Sequence, residues 1–153
     1  MEITKAIKNE KITFKNPNPA FYEALGHDGM KKLMYDFYDK IYESDIANFF
    51  PQDEDEFEKV KVKNTKFFIQ ICGGPSIYDE EMQGKKDLNE YMIDIHDDFS
   101  ITLKSRGEWL GTFREVLEEL ECVDKDVIED FWQYLDKFSK LTVNRWPKES
   151  TYF

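Results

Sequence analysis

Apolar side chains recur at three- and four-residue intervals through most of this chain. That spacing suits helices that each bury one face. Five stripes stand out. Met30, Leu33, Met34, Phe37, Tyr38 and Ile41 form the first. Phe57, Val60, Asn64, Phe67, Phe68 and Ile71 form the second. The third is Leu88, Tyr91, Met92, Ile95 and Phe99. Trp109, Leu110, Phe113, Val116, Leu117 and Leu120 make the fourth, and Val127, Ile128, Phe131, Leu135, Phe138 and Leu141 the fifth. The expected fold class is all-α. Only Phe99 to Leu103 alternates like a strand, and five such residues do not make a sheet.

Glycine and proline punctuate these stripes. Gly26 and Gly29 should break an initial turn from the first main helix, which runs to Tyr42. A short turn or helix from Ser44-Asp45 should stop at Phe49-Phe50-Pro51. The acidic stretch Gln52 to Glu56 reads as a helix start, since carboxylates favour the positive end of a helix dipole. Gly73-Gly74-Pro75 should end the second helix. Residues 76–87 read as a connecting loop, Ser105-Arg106-Gly107 as a cap for the fourth helix, and Asn144-Arg145-Trp146-Pro147 as the stop of the fifth. Residues 1–20 have weak periodicity and end in Asn16-Pro17-Asn18-Pro19, which reads as a loosely packed extension. The expected organisation is an extension over 1–20, one domain over 21–147 and a tail over 148–153.

With 153 residues, the chain is long enough for one domain with a real core. Hydrophobic residues make up 41% of it, which fits a globular chain. Aromatics reach 16%, with thirteen Phe, eight Tyr and three Trp. Such a load either builds a large aromatic core, the more frequent outcome, or lines a deep pocket for a flat apolar ligand. The net charge of −11 argues against nucleic acid and against an anionic membrane surface as partners. No apolar run approaches the roughly 20 residues that span a bilayer, and Met1 to Lys15 lacks an apolar signal core. Two cysteines, Cys72 and Cys122, are too few for a disulfide framework; free thiols in a reducing cytoplasm are the simplest reading.

Two residues break the pattern. His96 is one of only two histidines and lies one residue past Ile95, along the edge of the third apolar face. A ring nitrogen there could ligate a metal within an apolar cavity. The competing reading, a solvated histidine in a charged segment, is commoner for a lone His. Asn64 is an amide at a position whose period faces inward. A buried amide needs partners or costs a few kcal/mol, so it either bonds nearby backbone or aims a donor at a ligand.

Ordered landmarks then give a resemblance. They are Phe37-Tyr38, Phe50-Pro51, Gly73-Gly74-Pro75, Tyr78, and the run His96-Asp97-Asp98-Phe99-Ser100-Ile101-Thr102-Leu103-Lys104-Ser105-Arg106-Gly107-Glu108-Trp109-Leu110. From about Phe21 to Pro147 the chain resembles a truncated haemoglobin, most closely the group II branch. The resemblance implies a two-over-two helical sandwich around one haem b. By it, His96 matches the proximal iron ligand, and Tyr38, Asn64 and Trp109 match distal positions that donate hydrogen bonds to a bound ligand. Phe50, Val60, Phe67, Phe68, Tyr78, Phe99, Ile101 and Phe113 are expected to pack around the haem. Val60 stands where many globins carry a distal His. The family's early glycine pair is here Gly26-His27, with His27 read as an exposed turn residue. Ile95 stands where a basic residue commonly precedes the proximal His, which leaves Lys85 and Lys86 as the candidates to anchor propionates. The stretch from Tyr78 to His96 is longer than usual.

The implied ligands are O2, NO or CO. A donor to a charged acceptor contributes about 1.5–3 kcal/mol, or one to two orders of magnitude in affinity. Three donors therefore imply tight oxygen binding with slow release, nearer to sensing, scavenging or redox work than to bulk delivery. A second expectation is enzymatic: conversion of nitric oxide to nitrate or activation of peroxide, which would need a reductase as partner. A third, of another class, is a haem-free helical interaction module with acidic patches at Gln52 to Glu58 and Glu115 to Glu121.

Overall fold

The computed structural model describes residues 1–76, 78 and 87–147. Five helices account for the five stripes: α1 (Ala20–Tyr42), α2 (Glu54–Ile71), α3 (Leu88–Ile95), α4 (Leu103–Glu118) and α5 (Lys125–Thr142). Two 3-10 turns, Ala47–Phe49 and His96–Asp98, follow α1 and α3. The strand-like alternation at Phe99 to Leu103 yields one parallel bridge, Thr102 to Arg145. Helix α1 packs against α2, α4 and α5, while α5 also packs against α3 and α4. The α1/α2 and α4/α5 pairs thus form the two layers of the expected two-over-two sandwich. No helix among the described residues is long and apolar enough to cross a membrane.

The helix starts follow local chemistry. The Asp53 carboxylate accepts from the backbone N–H groups of Asp55 and Glu56 and caps α2. Asp87 does the same for α3 through Asn89 and Glu90. Gly26, at φ 67°, puts a kink in α1 where the sequence anticipates a break. Gly73, at φ 88°, follows the C-cap of α2 in the left-handed region that suits glycine. The start of α4 differs from expectation. Its cap is Thr102, whose hydroxyl accepts from the Ser105 N–H while Ser105 Oγ accepts from the Thr102 N–H. Arg106 is therefore no cap residue; it sits inside the first turn and is buried.

Stacked rings dominate the core between the layers. Phe21 lies on Phe131 at 4.1 Å between ring centroids and 1° between planes, and Phe37 on Phe113 at 3.9 Å. Trp132, Tyr134 and Met34 are buried beside them. Most of the aromatic load therefore makes core. Both cysteines are free thiols, Cys72 buried and Cys122 exposed.

The amino-terminal segment is tied down more firmly than its weak periodicity suggests. Trp132 Nε1 donates to the Glu2 carbonyl at 2.7 Å and Arg114 Nη1 to the Met1 carbonyl at 3.0 Å. Ala6 is buried. The reading of loose packing fails here because backbone carbonyls, invisible to hydrophobic periodicity, make the contacts.

Candidate functional site

His96 sits at the C-terminal end of α3, where its ring folds back on its own helix. Nδ1 lies 2.6 Å from the Met92 carbonyl oxygen. A carbonyl can only accept, so Nδ1 carries the proton and Nε2 keeps its lone pair in the neutral ring. Burial lowers the imidazole's pKa, against smaller opposing effects from the Met92 bond and Asp97. The neutral, ligand-competent form is thereby favoured. The ring meets Phe138 edge-on at 6.4 Å and Phe99 at 6.2 Å. It is half-buried and lines a cavity, so the reading of a solvated surface histidine does not describe it.

The loop after His96 is held by a residue that the sequence marks only as a helix stop. Asn144 Nδ2 donates to the Phe99 carbonyl at 2.7 Å, and Asn144 Oδ1 accepts from the Ile101 N–H at 2.9 Å. The Asn144 and Arg145 N–H groups both donate to the Ile101 carbonyl at 3.0 Å. The chain just past α5 thus fixes the turn that carries His96, Phe99 and Ile101.

His96 and Trp109 face a cavity that is partly open to solvent. Apolar and aromatic walls come from Ile46, Phe49, Phe50, Phe99, Ile101 and Phe138, with His96 on one side and Trp109 on another. Phe99 remains 46% exposed at the mouth, unusual for a phenylalanine without a partner surface. Of the residues expected around the pocket, His96, Trp109, Phe50, Phe99 and Ile101 meet here. Phe67, Phe68 and Phe113 do not. They are buried core residues packed on Tyr78, Phe138, Phe131 and Phe37, because their stripes face the neighbouring helices. Tyr78 is buried against Phe67, and Val60 is half-buried against the same core. Lys85 and Lys86 lie outside the described residues. His27 is exposed, beside Asp28.

Trp109 is half-buried, with its ring edge-on to Phe113 at 4.8 Å and to Phe37 at 6.2 Å. Its indole N–H meets no acceptor among the described residues. Tyr38 is buried behind Phe50, at 5.7 Å between rings, and is not itself on the cavity wall. Its phenolic oxygen accepts from Asn64 Nδ2 at 2.5 Å. Burial raises the pKa of this phenol, with the Asn64 bond opposing, so it stays protonated. The inward amide at Asn64 therefore has a side-chain partner, not a backbone one.

Part of the same wall is polar, which apolar spacing does not reveal. Ser105, Arg106, Ser139 and Thr142 line it. Arg106 is 4% exposed and pairs with Asp136 at 2.7 Å. It also donates to Ser139 Oγ and to the carbonyls of Thr4 and Asp136. One signal was available: Arg106 lies three residues before Trp109 and so shares its helix face.

Comparison with known proteins agrees with this architecture. Residues 20–144 match the family described as bacterial-like globin. The chain is 26% identical over 129 residues to the group 2 truncated hemoglobin YjbI of Bacillus subtilis (strain 168), covering 84% of this chain and 91% of that one. Among solved structures it is similar to phosphate-bound Hell's gate globin IV, with a TM-score of 0.79, 24% identity, and coverage of 97% of this chain and 88% of the other. It is also similar to a truncated oxygen-avid haemoglobin from Bacillus subtilis. There the TM-score is 0.70 at 25% identity, covering 83% of this chain and 99% of that one.

Proposed function

The chain belongs to the bacterial-like globin family, and on that premise we propose that it is a haem b protein that binds a diatomic gas, with His96 as the iron ligand. The observation that carries this reading is the state of the His96 ring. Its Nδ1 proton is committed to the Met92 carbonyl, its Nε2 lone pair is left over, and a cavity with aromatic walls, partly open to solvent, lies alongside. Those residues fit a flat, mostly apolar tetrapyrrole. Phe99 and Phe138 would pack beside the ligating ring, and Phe49 and Phe50 would close the opposite wall. His96 would hold the iron of a bound haem, which would supply the centre at which O2, NO or CO binds.

The remaining chemistry belongs to the side chains. Because Tyr38 oxygen accepts from Asn64, its O–H proton is left to point elsewhere. The Trp109 N–H is equally uncommitted. Trp109 holds its donor on the cavity wall, whereas Tyr38 stands behind Phe50 and would have to reach past that ring; both suit a ligand that gathers partial negative charge, which O2 does more than CO. The oxygen avidity named for the Bacillus subtilis relative supports O2 as the ligand. Asn64 acts in this reading chiefly by orienting Tyr38. Phe50 keeps water from the Tyr38 side of the cavity.

The test is visible spectroscopy after adding hemin to the purified chain, in ferric, ferrous and ferrous–CO forms, repeated for His96→Ala. A Soret band that is strong in the parent and lost or shifted in all three forms of the variant is the expected result. A parent protein that stays colourless would end the haem reading. Unaltered spectra in His96→Ala would end the assignment of the ligand.

A further inference from the structure

The family match begins at residue 20, yet the chain ahead of it reaches the cavity wall. Thr4 clamps Asp136 at both carboxylate oxygens: its N–H donates to Oδ1 at 2.9 Å and its hydroxyl to Oδ2 at 2.5 Å. The Thr4 carbonyl accepts from Arg106 Nη1 at 2.8 Å. Arg106 in turn donates through Nη2 to Asp136 Oδ1 and through Nε to Ser139 Oγ. Arg106 and Ser139 both line the cavity. Three chain segments, residue 4, the first turn of α4 and the last turns of α5, therefore meet in one buried polar cluster.

From this geometry we infer that the amino-terminal segment Met1–Ala6 is a strap that holds the cavity wall in shape through Thr4, making Thr4 a positioning residue for haem retention. The inference rests on the haem reading above for its ligand. Buried charges hold one geometry only when their hydrogen bonds are complete. The Thr4 hydroxyl completes the Asp136 carboxylate, and Asp136 fixes the Arg106 guanidinium. Without the hydroxyl, Asp136 Oδ2 loses its partner and Asp136 holds the Arg106 guanidinium less firmly. A looser wall at Arg106 and Ser139 releases an apolar ligand faster.

The experiment compares Thr4→Val, Thr4→Ser and Arg114→Met in the full chain. Arg114→Met cuts the Met1 carbonyl contact in the same segment, and Arg114 is absent from the cavity lining. Each hemin-loaded protein is mixed with excess apomyoglobin, and the rate of haem transfer is read. Thr4→Val should transfer haem several-fold faster than the parent, with about tenfold as the ceiling reached if the whole of one hydrogen bond to a charged group is felt only in the haem-bound state. Thr4→Ser and Arg114→Met should stay near the parent rate. If Thr4→Val is no faster than Arg114→Met, the strap is merely a stabilising segment and the inference is wrong. Amide exchange on the hemin-free chains gives a second readout at Arg106, whose N–H donates to the Thr102 carbonyl. Should the parent take up no hemin, the haem reading fails, and this readout decides the strap alone. Faster exchange at Arg106 in Thr4→Val than in Arg114→Met upholds it, and equal exchange overturns it.

Discussion

Asn64 donates its amide proton to the phenolic oxygen of Tyr38 across the gap between α2 and α1. The bond consumes an acceptor site on Tyr38 and spares its proton. In the proposed haem reading the two would act as a chain, with Asn64 reaching a ligand only through Tyr38. Tyr38→Phe should speed O2 release by about one to two orders of magnitude, the range for a lost donor to a charged acceptor. Asn64→Leu should speed it less. The double variant should match Tyr38→Phe alone, because Asn64 would act through the missing hydroxyl. Stopped-flow displacement of O2 by CO measures all three. Additive effects would instead mean that Asn64 reaches the ligand itself.

Arg106 and Asp136 form the one ion pair among the described residues in which both side chains are buried. Burial lowers the Arg106 pKa and Asp136 opposes that shift. Breaking such a pair from one side leaves an uncompensated buried charge and costs about 3–5 kcal/mol. Asp136→Asn should therefore lose a large part of a typical domain stability of about 5–15 kcal/mol. Arg106→Met combined with Asp136→Leu should recover much of that loss, since neither charge remains. Urea unfolding of the hemin-free proteins checks this. A double variant less stable than Asp136→Asn would contradict it.

The contrast between these two sites shows what could be read from the residues alone. Helix positions came from apolar spacing, and the breaks at Gly26 and Gly73 came from backbone conformations that only glycine adopts easily. Asn64 was visible as an anomaly because it interrupts a period. The polar wall was not visible. Arg106 and Ser139 look like ordinary solvated residues until α4 and α5 are packed. Thr4 contributes through backbone atoms as well as its hydroxyl, and backbone atoms leave no trace in composition. The core roles of Phe67, Phe68 and Phe113 were hidden for a related reason. An inward stripe shows that a ring is buried, not which neighbour it is buried against.

Tyr35 gives the protein an alkaline limit. Its phenol donates to Glu58 at 2.5 Å, and burial together with that bond raises its pKa from 10.0 to about 12. In the unfolded chain the phenol ionises near pH 10. Between about pH 10 and 12 the unfolded state has thus released a proton that the folded state still holds, so stability falls as pH rises. Tyr38 and Tyr134 are shifted upward by burial and add to the same slope. Tyr35→Phe should flatten the fall of the urea midpoint over this range without abolishing it. An unchanged slope would show that Tyr35 ionises as freely in the fold as in water.

Trp109 separates packing from hydrogen bonding within a single residue. Its ring is held edge-on by Phe113 and Phe37, while its N–H is uncommitted beside the cavity. Trp109→Phe keeps an aromatic ring in that niche and deletes the donor. Trp109→Leu removes the ring contacts as well, which contribute about 0.5–1.5 kcal/mol per aromatic pair beyond area burial. Both substitutions should speed O2 release by a similar factor, about tenfold for one lost hydrogen bond to a charged acceptor. Only Trp109→Leu should lower the thermal midpoint clearly. CO release should change little in Trp109→Phe, because CO carries less charge for the N–H to stabilise. Stopped-flow traces for O2 and CO, set beside melting curves of both variants, give the comparison. Equal acceleration for the two gases would mean that the indole controls access by its bulk, and that its proton is not what holds the ligand.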